Sequence, residues 1–391
     1  MQPIVIHADR AITPFEEIAD AVIVVQGAKI VAFGQRGTIE LPRGGREIVM
    51  RGKTAVPGFV DVHIHGAGGH DVMEGTAEAL DIVAATVARH GTTSFVATTV
   101  TASEMETCES VSGIARFILN ASKSVPRETV AEILGVHFEG PFISRAKRGV
   151  HPSEWIAAPS PEMLANFLKE SRGTALIITL APELPGAMEL IPAARQAGLV
   201  VSLGHTDATY EQAMTAIEAG ATHAAHVFNA MRAFSHRGTG ILGAVLTSPR
   251  ISAELIADGV HVDEAAMRIL IELKSLDRVI LVSDGISATG MPDGKYRLGL
   301  FEVRVTGGTC RNAEGKLAGS TLTLDRALKN IVAMGVPLPW ALRMVTSNPA
   351  RQIGFGERKG ILAPGADADI VFLNEKLDVS GVMTRGVASS W

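Results

Sequence analysis

The chain has 391 residues, 47% apolar and 20% charged, with 40 glycines: long enough to bury a large core, and composed like a compact, turn-rich protein, which excludes a fibrous or broadly disordered one. A net charge of −5 gives no electrostatic reason to expect nucleic acid or an anionic membrane as partner, so an anionic ligand would need local basic groups. Two cysteines, Cys108 and Cys310, exclude a disulfide framework or a cysteine-rich zinc site and suit a reducing cytoplasm.

The opening MQPIVIHADR has no charged stretch leading into an apolar one, and no apolar run is long enough to span a bilayer, so a soluble, non-exported protein is expected. Residues 1–56 alternate apolar and polar positions and break at glycine, which predicts short strands. From Phe59 the texture changes to apolar runs, each followed by a helical stretch. The runs are 59–65, 93–99, 132–138, 175–181, 199–204, 221–226, 251–257 and 279–284, with helical patterns such as 76–90, 160–170 and 263–276 between them. Eight such units predict a (β/α)8 TIM-type barrel over residues 57–357, completed by helices near 323–334 and 338–347. The tail from residue 358 to 391 returns to strand-and-turn texture, and is expected to join residues 1–56 in a small β-sandwich beside the barrel.

In such a barrel the site lies at the C-terminal ends of the strands. The polar residues that end the apolar runs are His63 and His65 (first strand), Glu139 (third), His205 (fifth), His226 (sixth) and Asp284 (eighth). The i, i+2 spacing of His63 and His65 puts both imidazoles on one strand face. A single histidine at a strand end is most often a hydrogen-bonded core residue; a set from five strands predicts a metal site, because histidine and carboxylate are ligands of zinc, iron and manganese. An aspartate such as Asp284, alone a turn or cap residue, becomes in this company a candidate acid/base for hydrolysis. Among the other histidines, His90 is expected to meet the last carbonyls of its helix and His223 to be structural, while His7, His70, His137 and His236 have no assignable partner.

With those positions marked, the chain resembles the amidohydrolase superfamily and, within it, the N-acetylglucosamine-6-phosphate deacetylase family. The resemblance is carried by PGFVDVHIHG, GVHFEGPFIS, GVHPSEW, SLGHTDA, AHVFNAM, ADGVHV, LVSDGISATG, LAGS and VTSNPARQIG, in order from residue 57 to 354. It implies that Glu139, His205 and His226 hold the principal divalent metal, and that His63 and His65 give capacity for a second, with zinc the first candidate and iron, cobalt or manganese the alternatives. It further implies that Asp284 is the catalytic acid/base and that His151 polarises the acetamido carbonyl. Val150, His151, Asn229, Ala230, His261 and the loop Leu317, Ala318 and Gly319 would contact the sugar phosphate. Arg237 would reach the neighbouring active site of a homodimer.

The implied reaction is deacetylation of N-acetyl-D-glucosamine 6-phosphate to D-glucosamine 6-phosphate and acetate, in amino-sugar catabolism and cell-wall recycling. The rivals are the galactosamine epimer as substrate, a cyclic-amide hydrolase, and a barrel that has lost its chemistry. Glutamate at strand three, without a strand-four lysine, counts against the cyclic-amide reading, and the complete ligand set counts against the inert scaffold.

Overall fold

The computed structural model describes residues 2–121 and 129–389; the last two positions of the expected tail segment, 390 and 391, lie outside the described residues. Eight parallel strands form one sheet in chain order: Phe59–Ile64, Thr92–Thr99, Glu132–Glu139, Ala175–Leu180, Val200–Leu203, His223–Ala224, Ser252–Leu255 and Val279–Leu281. Every residue of the first two is buried, as expected of strands covered on both faces. The first and last strands meet just beyond their ends, where Asp284 N–H donates to the His63 carbonyl at 2.9 Å and His65 N–H to that of Gly285 at 2.7 Å. The barrel therefore closes at the residues expected to carry the chemistry.

Each strand is followed by a helix: Ala77–Ala88, Glu104–Ala121, Pro161–Ser171, Ala187–Gln196, Tyr210–Ala219, Gly240–Thr247, Glu264–Leu273 and Leu324–Ala333. Side-chain caps start several of them. Thr76 accepts from Ala79 N–H, Ser160 from Met163 N–H ahead of Pro161, and Thr209 forms a reciprocal capping box with Gln212. The helices cover the outside of the barrel through one apolar core, in which Phe138 and Phe167 stack with ring centroids 5.2 Å apart.

Strands from both ends of the chain meet in a second sheet of seven, ordered 387–388, 379–384, 370–373, 46–57, 4–12, 17–26 and 29–35. Its hydrogen bonding is continuous through Arg46–Pro57, which pairs with Ile4–Ile12 on one side and Ile370–Leu373 on the other. Ile6, Ile23, Ile370, Phe372 and Met383 share its apolar core. An ionic knot joins sheet to barrel: buried Lys359 lies 2.7 Å from Asp369, 2.9 Å from Asp367 and 2.5 Å from Glu132, the first residue of the third barrel strand.

A feature absent from the sequence reading is a three-stranded antiparallel sheet, Gly294–Leu298, Phe301–Thr306 and Thr309–Arg311, inserted between the eighth strand and its helix. Its strands alternate exposed positions with half-buried or buried ones, so no long apolar run marks it. Among the described residues no helix is long and apolar enough to cross a membrane.

Candidate active site

The strand ends bring together residues far apart in sequence. A cavity of about 200 Å³ is lined by His65, Glu139, Val150, His151, His205, His226, Asn229, Ala230, His261, Asp284, Leu317 and Gly319, with Val100, Gly149 and Leu298 completing its walls. His63 is fully buried directly behind it, with Nε2 3.2 Å from Glu139 Oε1. Two residues of the expected set stand elsewhere. Ala318 packs its side chain into a small apolar cluster with Val303, Val305 and Cys310. Arg237 is exposed and lines a separate hollow with Arg232, His236 and Tyr210.

The backbone is bent to aim these side chains. His205, His226 and Asp284 all have positive φ, at 47°, 26° and 49°, a region that costs a non-glycine residue on the order of 1–3 kcal/mol and persists where the surroundings impose it. Each sits where a strand ends and turns its side chain into the mouth. Gly319 has φ 56°, and a Cβ there would fall 2.3 Å from Ile286 Cγ2, so only glycine lets this loop run against Asp284.

Glu139 is the hub. Its Oε1 lies 2.9 Å from His226 Nε2 and 3.2 Å from the Nε2 atoms of His205 and His63, while its Oε2 lies 3.4 Å from His65 Nε2 and His151 Nε2. Asp284 Oδ1 is 3.2 Å from His65 Nε2. Burial raises the pKa of both carboxylates, but for Glu139 the fields of His63 and His205 outweigh it. For Asp284 the contact with His65 and the field of His63 do so, and both groups end below the usual range. The reciprocal effect appears on the imidazoles: burial disfavours the His65 cation, yet Asp284 and Glu139 raise it to about 9. The cluster thus demands positive charge, which protons or a divalent cation can supply.

The opposite ring nitrogens show which histidines suit a cation. His63 Nδ1–H donates to Glu254 at 2.8 Å, His65 Nδ1–H to the Thr98 carbonyl at 3.0 Å and His205 Nδ1–H to the Lys147 carbonyl at 2.9 Å. Each bond fixes the tautomer with the Nε2 lone pair turned inward, as in metal-binding histidines. His63 Nε2 is buried without a hydrogen-bond partner. Several three-residue sets, including His63, Glu139 and His226 and also His63, His65 and Asp284, place their ligand atoms within 4.8 Å of one another. His151 differs. Its Nδ1 accepts from Thr101 N–H at 3.3 Å, so its proton is on Nε2 and points into the cavity. Burial, with His205 nearby, lowers its pKa to about 4 and keeps it a neutral donor.

Sequence reasoning missed several supports. Asp258 holds His261 by accepting from Nδ1–H at 2.7 Å and from its backbone N–H at 2.8 Å; the three-residue spacing in ADGVH was the available signal. Thr98, in the second strand, orients His65, and Thr101, just past its end, orients His151. Glu254 and His137 lie beneath His63, and burial, followed by the field of His63, lowers His137 to about 3. His90 meets Asp325 at 3.3 Å, where helix-end carbonyls were expected.

A closed parallel barrel with a buried imidazole and carboxylate set at its strand ends is the architecture of the amidohydrolase family, to which this chain belongs: the family profile matches residues 54–388. That family is generally metal-dependent. Within it the chain groups with the deacetylases of amino-sugar phosphates. It is 38% identical to the N-acetylglucosamine-6-phosphate deacetylase of Lysinibacillus sphaericus over 83% of both chains. It is 37% identical to the N-acetylgalactosamine-6-phosphate deacetylase of Escherichia coli O157:H7, over 86% of this chain and 87% of that one. A mutant N-acetyl-D-glucosamine-6-phosphate deacetylase from Mycobacterium smegmatis, solved with N-acetyl-D-glucosamine-6-phosphate, superposes with a TM-score of 0.91 at 35% identity, covering 99% of each chain.

Proposed function

We propose that this chain hydrolyses the acetamide of N-acetyl-D-glucosamine 6-phosphate to D-glucosamine 6-phosphate and acetate. The observation that carries the reading is the convergence of Glu139, His205, His226, His65 and Asp284 on one small cavity that also has the neutral donor His151 on its wall. In this reading Glu139, His205 and His226 hold the principal divalent cation, zinc first among the candidates, and His63 and His65 give capacity for a second. A cation there supplies a Lewis acid for the acetyl carbonyl and acidifies a water molecule.

The protein's own groups do the rest. Asp284, held ionised by His65, takes the proton of the attacking water and delivers it to the leaving amine, so the C–N bond breaks to a neutral amine and acetic acid, whose remaining proton passes to the amine or to solvent to leave acetate. His151 Nε2–H donates to the carbonyl oxygen as negative charge builds there. Asn229 and Ala230, on the loop after the sixth strand, and His261, braced by Asp258, bind the phosphate with Val150, Leu317 and Gly319 against the sugar. These local donors let a protein of net charge −5 accept an anion.

Arg237, exposed on the loop of residues 232–239 that also exposes Phe234, is assigned to the active site of a neighbouring subunit in a homodimer. The free cysteines and the sugar-phosphate substrate fit the cytoplasm. The domain division that goes with this reading is a terminal β domain, residues 1–56 with 358–391, beside a catalytic barrel of residues 57–357.

Acetate release from N-acetylglucosamine 6-phosphate, its galactosamine epimer and unphosphorylated N-acetylglucosamine tests the assignment. The expected order places the glucosamine phosphate first and the unphosphorylated sugar last. A preference for the epimer would make N-acetylgalactosamine 6-phosphate the substrate, a reading that similarity to the Escherichia coli protein supports. No acetate from either phosphate would overturn both.

A further inference from the structure

The seventh strand hides a carboxylate that neither the cavity nor the proposed chemistry uses. Glu254 is fully buried inside the barrel, below the site. Its Oε2 accepts from His63 Nδ1–H at 2.8 Å and from the backbone N–H of His226 at 2.9 Å. Its Oε1 faces His223 Nε2 at 3.5 Å and has no hydrogen-bond partner. His137 completes its surroundings, with its ring 4.8 Å from that of His63. A carboxylate removed from water is costly unless it is paired, and in an apolar run such as ISAELIA any aliphatic residue would pack more cheaply. Its partner indicates why it is there.

We propose that Glu254 is a positioning residue that acts through His63 to set how tightly the His63 and His65 pair holds a second cation. The inference rests on the metal-site reading above. A histidine ligand binds well when its remote nitrogen is anchored, because the anchor fixes both the tautomer and the ring plane. His65 and His205 use neutral carbonyls for this; among the candidate metal-ligating histidines with an anchored Nδ1, His63 alone uses a carboxylate. The anionic anchor turns His63 Nε2 toward Glu139 and adds a negative charge directly behind a site that would receive a second dication. It does not grip the side chains of His205 or His226. The backbone at His226 is also secured by Val227 N–H to the Glu254 carbonyl at 2.9 Å, a bond that any residue at 254 retains.

The test is zinc stoichiometry. Wild type, Glu254→Ala and Glu254→Gln are equilibrated in buffers of stepped free Zn²⁺, and bound zinc per chain is measured. Wild type is expected to fill in two steps. In Glu254→Ala the weaker step moves about 10–100-fold to higher free zinc while the tighter step stays within about two-fold. Glu254→Gln shifts the weaker step less, since its amide oxygen can still accept the His63 proton but carries no charge. Equal weakening of both steps, or none, overturns the proposal, as does a wild type that takes one zinc only. Should the alanine variant not fold, the glutamine variant decides alone, and an unshifted weaker step overturns it. A wild type that binds no zinc would instead remove the metal-site reading itself.

Discussion

The Nε2 atoms of His205 and His226 stand 3.1 Å apart, and both lie within 3.2 Å of Glu139 Oε1. Two neutral imidazoles that close can share at most one proton, and two imidazolium ions would repel. A cation between them and the carboxylate resolves the conflict. Chelation is therefore expected to lower the melting temperature and added zinc to restore it. The stabilisation is about 4 kcal/mol when free metal is a thousand times its dissociation constant. Thermal unfolding with and without chelator measures this, and an unchanged midpoint would count against a metal at this place.

Asp284 sits 3.2 Å from His65 and is kept ionised by it. Asp284→Asn keeps the shape and removes the proton acceptor, so turnover is expected to fall by about 10²–10⁴-fold. The principal metal, held by other residues, should stay bound. Acetate release and metal content measured on the same preparation check both halves.

His151 presents Nε2–H to the cavity because Thr101 N–H occupies its other nitrogen. That makes it a donor to the substrate carbonyl and sets it apart from the ligand histidines. His151→Ala should reduce kcat by about 10²–10³-fold, the cost of removing one oxyanion donor, without loss of metal. Loss of metal in this variant would instead assign His151 to the ligand set.

Lys359 is buried among Glu132, Asp367 and Asp369. Lys359→Met would leave those carboxylates without their shared cation, and the expected loss of stability is about 3–5 kcal/mol, read by urea unfolding. The knot also sets an acid limit. Burial works against ionised Asp367, but Lys359 and the contact with Lys29 hold it at about 2, down from 3.8, and Glu132 is likewise lowered by Lys359 and Arg358. Their contribution is complete above the unfolded values and is lost as pH falls from about 4 toward 2. Asp369, raised by burial despite Lys359, works in the opposite sense and blunts the loss. Unfolding free energy measured across that interval should decline in wild type and stay flatter in Lys359→Met.

The strand ends were legible because a polar residue that closes an apolar run has few structural reasons to be there, and His63, His65, Glu139, His205, His226 and Asp284 all do so. Glu254 breaks the same rule from inside a run, where its meaning depends on a partner 191 positions away. The sheet of residues 294–311 escaped because half-exposed alternating strands leave no long apolar signature. The motif match at LAGS extended across three residues, although only Leu317 and Gly319 face the cavity; the turn directs Ala318 into the apolar cluster.

By itself the sequence determined the period of the barrel, the residues at its mouth and the kind of ion they suit, since these follow from local periodicity and side-chain chemistry. Only the tertiary structure decided which nitrogen of each histidine faces the site. A tautomer is set by what the other nitrogen meets, and Glu254, Thr98, Lys147 and Thr101 come from strands and loops that closure of the barrel brings alongside.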